Sequence, residues 1–294
     1  MTELDALLKT AWNDHGDSPQ AVADRLVANS HRVESCTQLA PFVRLLVHVY
    51  GEHLGQWQRG VDVITALRQQ LAFALDQPAT DALQKAIATL RYAGGDALAL
   101  EGLDGALRAS ALSTAALAFA GRQETARAIV AFTEALRIGE LGLPSGSPTL
   151  RDLAIAGNNL AATWEEKTNR QPNETTAMLL AAHAALKYWK LAGTWLEEER
   201  AEYRLARSLL QAGQADAAVQ PAQRCVDICT RQNAPAFELF FAYAVLGMAQ
   251  RAAGQAEAFH RSHAAARAQW QQIPEQDRAW CQDDLDALAS PTVA

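Results

Sequence analysis

Strand patterns are missing from this sequence of 294 residues. No run alternates β-branched with polar side chains, and the closest, Val61-Asp62-Val63-Ile64-Thr65, lies inside a longer 3.6-residue periodicity. Glycine (17) and proline (10) are sparse and fall mostly between periodic segments, where they end helices instead of interrupting them. The four cysteines, Cys36, Cys225, Cys229 and Cys281, are too few and too scattered for a disulfide framework. Basic runs longer than a pair are missing and the net charge is −7, which argues against nucleic acid as a partner. No apolar stretch approaches the roughly 18–20 residues of a membrane span. Ala115–Ala120 is too short, and Met178–Leu186 contains polar residues. The opening Met1-Thr2-Glu3-Leu4-Asp5 carries acids where a secretory signal carries bases. These absences predict a soluble, cytoplasmic protein that binds neither membrane nor nucleic acid.

What is present is a helix-forming chain. Hydrophobic residues make up 49% and charged residues 20%, enough apolar surface to build a core. Alanine, the best helix former, recurs in almost every segment and lets helices approach closely. The chain reads as helices of about 11 to 20 residues separated by short breaks, a pattern that calls for a search for repeats.

The clearest unit is Glu202–Thr230. Leu205, Ala206 and Leu209 precede a turn at Gly213, and Ala218, Ala222 and Cys225 follow it. The next unit repeats this with Tyr243, Leu246 and Gly247, a turn at Gly254, then Phe259 and Ala266. Earlier breaks fall at Gly16, Gly55 (with Trp57 just after it), Gly94-Gly95 and Gly121. The segment Asn158–Trp164 opens a fifth hairpin whose second helix runs from Glu174 to Trp189. Gly16 to Gly55 is 39 residues, Gly55 to Gly95 is 40, and Gly213 to Gly254 is 41. Gly95 to Gly121 is only 26, which predicts a truncated second helix around Asp96–Glu101. The breaker-rich Gly139–Pro148 predicts a hinge between halves 1–140 and 147–294. Thr168–Glu174 reads as an exposed polar loop, and a capping helix is predicted over about 275–290.

The placement of small and large residues about each turn resembles the tetratricopeptide repeat family, although most units exceed the roughly 34 residues of its standard repeat. The resemblance implies an all-α fold: one right-handed superhelix of antiparallel helical hairpins, an α-solenoid of about 14–15 helices. It also implies a concave surface lined by the first helix of each pair, which holds a protein or peptide. Carried over by position, that surface comprises Arg200, Tyr203, Arg207 and Gln211 in the Gly213 unit. The Gly254 unit supplies Phe241, Met248 and Arg251, and the fifth unit supplies Asn158, Glu165 and Glu166 with Asn159 beside them. Arginine there suits a peptide carrying a carboxylate. The alternative is that Arg200 and Arg207 pair with Glu197 and Glu199 on a solvated face. The family's Lys/Asn/Arg carboxylate clamp is not reproduced, because the matching positions hold Tyr203, Arg207, Ala244 and Met248.

No complete catalytic or metal-binding signature occurs in the sequence. His260 and His263 share a helix face without a third ligand, and His48 and His53, five apart, do not fit the His-Glu-x-x-His pattern. Cys225 and Cys229 read as small core residues. Glu165-Glu166 and Glu197-Glu198-Glu199 read as solvated acids. No phosphate-cradling glycine loop and no Gly-x-Ser-x-Gly elbow occur. The seven tryptophans are spread through the chain, which favours packing over a base-stacking platform. Ser18–Leu26 could open a helix-turn-helix, but Val27–Glu34 supplies no basic recognition helix. The sequence therefore predicts a non-enzymatic scaffold or adaptor without cofactor or metal, its oligomeric state left open. A sensor of a signal peptide or small ligand, acting through a partner, is the second reading. An enzyme assembled from distant repeats is the third.

Overall fold

The computed structural model describes residues 2–289, so the last position of the predicted capping helix, 290, lies outside the described residues. Among those residues the chain is helical with no strand, and neighbouring helices pack in series. Fourteen α-helices form among the described residues, and the chain divides into two compact units, 1–156 and 157–294. The division falls inside a helix, downstream of the Gly139–Pro148 breaker.

The N-terminal unit holds α1 (Glu3–Asp14), α2 (Pro19–Ala28), α3 (Cys36–Val47), α4 (Trp57–Gln70), α5 (Gln77–Ala93), α6 (Gly105–Gly121), α7 (Thr125–Glu140) and the start of α8 (Pro148–Glu165). Side chains cap several of these helices at the orphan N–H groups of the first turn. Thr2 and Asp5 form a reciprocal capping box on α1, Asp76 caps α5 through Ala79 N (2.9 Å), and Asp104 caps α6 through Leu107 N (2.8 Å). A π-helical turn over His48–His53 continues α3 and ends at Gly55, whose φ of +63° suits glycine. The truncated helix predicted at Asp96–Glu101 does not form. Consecutive turns occupy that stretch, and α5 packs against α3, α4 and α6. The turn after α6 is made by Gln123 at φ +60°, while Gly121 closes the helix. Alanine-rich α6 is buried almost all round, with its own Phe119 and Phe132 of α7 filling the core.

The C-terminal unit holds the rest of α8, then α9 (Pro172–Ala192), α10 (Trp195–Gln211), α11 (Ala215–Arg231), α12 (Ala236–Ala252) and α13 (Ala256–Gln272). A 3₁₀ segment over Glu275–Cys281 leads into α14 (Gln282–Ala289), so the predicted final helix begins as a tighter turn. The α10–α11 and α12–α13 hairpins close at Gly213 and Gly254, both at φ +72°, as their sequence positions predict. The expected loop ends early: Glu174 is buried inside α9, caps Gln171 and pairs with Lys167 (2.6 Å). Fully buried Trp164 and Tyr188 fill the space between small residues such as Ala181, Ala182 and Ala185. Among the described residues no helix is long and apolar enough to cross a membrane.

Candidate functional site

Five of the residues predicted to line a binding face, Tyr203, Arg207, Phe241, Met248 and Arg251, come together in the C-terminal unit on α10 and α12, which pack against each other. Spacings of three and four set Arg200, Tyr203 and Arg207 on one side of α10, and the same rule groups Phe241, Met248 and Arg251 along α12. The Tyr203 ring meets Phe241 edge-on at 5.9 Å between centroids, and Phe241 also meets Phe237 (5.1 Å) and Phe240 (5.3 Å). The result is an aromatic strip with guanidinium groups beside it, apolar area together with directional charge.

The chain's own α14 occupies this strip. Tyr203 Oη donates to Asp284 Oδ1 at 2.7 Å, and Arg207 Nη1 donates to the same oxygen at 3.2 Å and to Tyr203 Oη at 3.0 Å. Asp284 is only 6% exposed, so these donors take the place of the water its carboxylate loses on burial. Burial pushes the Tyr203 phenol well above its ordinary value, which keeps it a donor. Arg251 donates to the carbonyl oxygens of Leu288 (2.9 Å) and Ala287 (2.8 Å), closing the C-terminal turn of α14. Leu288 is buried in a cluster with Phe240, Ala244 and Met248, against Gly247, where a Cβ would stand 3.0 Å from Leu288 Cδ2.

The remaining predicted residues go elsewhere. Arg200 pairs with Glu238 of α12, so, like Arg207, it does not take the acids of its own helix that the sequence offered. Gln211 accepts from Arg170 (3.4 Å). Asn158 and Asn159 bond to each other on α8 (3.2 Å) and do not join the α14 contact.

One acid of each run leaves the solvated face. Glu165 accepts from Arg204 Nη1 and Ser208 Oγ, both at 2.6 Å, with its side chain 5% exposed. Glu199 is 1% exposed because helical spacing sets it in line with buried Glu202, Leu205, Ala206 and Leu209. Burial, then repulsion from Glu238, pushes its carboxyl up to about 8, opposed by Arg200 and by bonds from the Cys225 and Cys229 thiols. Those cysteines sit fully buried, as core positions should, and burial pushes both thiols up, Cys229 to about 12. Neither is a thiolate at neutral pH.

Sequence spacing also missed a grouping in the N-terminal unit, where His15 joins His48 and His53. The only available signal was the pair five residues apart, which a regular α-helix does not bring to one face but the π-helical turn does. Comparison with protein-family models and with curated proteins finds no match to this chain.

Proposed function

We propose that the protein is a non-catalytic adaptor of tetratricopeptide-like helical hairpins. Its C-terminal unit captures a short acidic amphipathic helix from a partner protein on the Tyr203–Arg207–Phe241–Met248–Arg251 face. The observation that carries this reading is α14 seated on that face, with one carboxylate on two donors and its C-terminal carbonyls on Arg251. A ligand of the same design offers an aspartate near its N-terminus and a leucine one turn later. Charge-assisted bonds supply direction, and burial of the leucine contributes about 1.5–3 kcal/mol. An eight-residue helix is marginal in isolation, so α14 holds its form through these contacts and is open to competition.

The test uses the full chain carrying Asp284→Arg and Leu288→Glu to dislodge α14, with a labelled synthetic peptide of residues 275–289 added in trans. Fluorescence anisotropy should show the peptide binding this variant at least ~10-fold more tightly than wild type, since the native protein holds its own copy at high effective concentration. Adding Arg207→Glu should abolish that binding. If the peptide binds neither protein, or ignores Arg207→Glu, the assigned face is wrong.

A further inference from the structure

In the N-terminal unit, three histidines from two segments converge. His15 caps the C-terminal end of α1, and His48 and His53 bracket the π-helical turn that ends α3. The wider π turn carries positions five apart onto one side. The His48 and His53 Nε2 atoms stand 3.2 Å apart, and one ring nitrogen from each histidine lies within 4.8 Å of the others. Ring centroids are 4.8 Å apart for His15–His48, 4.9 Å for His15–His53 and 4.8 Å for His48–His53.

We propose that His15, His48 and His53 bind a divalent first-row transition metal ion of the zinc type, through three neutral imidazoles with one coordination position left for water. Zinc–nitrogen bonds of about 2.0–2.1 Å in a tetrahedron set the donors about 3.3–3.4 Å apart. The His48–His53 pair is already near that spacing, and the His15 donor, within 4.8 Å of both, moves inward to complete the set.

The outer contacts fit ligands and not a casual stack. His48 Nδ1 bonds Glu52 Oε2 at 2.9 Å, which places the proton on Nδ1 and frees Nε2 to coordinate. His15 Nδ1 lies 2.6 Å from the Trp12 carbonyl oxygen, an acceptor only, so its proton is on Nδ1 as well. Glu52 reaches its position across Gly121, where any Cβ would collide with its Cγ. The carboxylate also offsets part of the ion's charge. All three imidazoles are half-buried. Imidazole donors suit zinc, copper, iron and nickel over calcium or magnesium.

The experiment uses the full chain prepared without a polyhistidine tag. Zinc is titrated by calorimetry, and cobalt(II) by visible absorption, whose band intensity reports tetrahedral coordination. One equivalent should bind, with a rise in Tm on zinc addition. His15→Ala and His53→Ala should each lose more than ~100-fold in affinity, and Glu52→Gln about 10–100-fold. His260→Ala with His263→Ala should bind like wild type. Circular dichroism of each variant without metal establishes that it is folded, and Glu52→Gln, which keeps the side chain's shape, gives the readout least exposed to misfolding. The proposal fails if wild type binds no equivalent, if cobalt gives no tetrahedral band, if His15→Ala binds as tightly as wild type, or if the His260/His263 variant is the one that loses the ion.

Discussion

Replacing Glu199 by glutamine should remove much of the pH dependence of stability in the C-terminal unit. Unfolded, this carboxyl releases its proton near 4.5, whereas burial makes the folded protein keep it to about 8. Between those values the unfolded chain binds fewer protons, so stability falls as pH rises and levels off only above about 8. At 1.36 kcal/mol per pKa unit, the whole window is worth about 5 kcal/mol, and the stretch from pH 5.5 to 8.0 about 3 kcal/mol. Almost no water reaches the group, which is 1% exposed, so solvent screening does not reduce the effect. Glutamine keeps the shape and carries no proton to lose. Urea unfolding followed by circular dichroism at both pH values should show wild type losing about 3 kcal/mol more than E199Q. Parallel losses in the two proteins would refute the assignment of a raised carboxyl to this site.

Gly157→Ala should destabilise the C-terminal unit by about 1–3 kcal/mol despite alanine's better helix propensity, because the added Cβ would stand 2.6 Å from the Ala181 carbonyl oxygen. A thermal melt no lower than wild type would show that the two helices separate freely. Asp284→Ala should leave the core folded but loosen α14, seen as faster amide exchange over Gln282–Ala289; unchanged exchange would mean that Leu288 alone holds the helix. Arg204→Ala should cost about 3–5 kcal/mol by stranding the buried Glu165 carboxylate, and the double change with Glu165→Gln should recover part of it. A loss equal to that of an exposed pair, under about 1 kcal/mol, would show that Ser208 suffices.

The sequence by itself determined most of the helices, though not the absence of one over Asp96–Glu101. Apolar periodicity, capping residues and left-handed glycines act over a few residues, so the hairpins about Gly55, Gly213 and Gly254 were legible before any packing was known. The tetratricopeptide resemblance, carried over by position, singled out Arg200, Tyr203 and Arg207, and their spacing of three and four sets them on one side of α10. Tertiary structure decided what those side chains meet. Tyr203 finds Asp284 81 residues away, and no local signal marks such a pairing. The same holds for Glu199, whose run of acids suggested solvent until the facing helices closed over one of the three. For the histidines, a π-helical turn changed which residues share a face, and the packing of α1 on α3 brought in the third imidazole. Local propensity sets which way a side chain points along its own helix. Only the long-range approach of another helix decides whether it meets water, an acid or another imidazole.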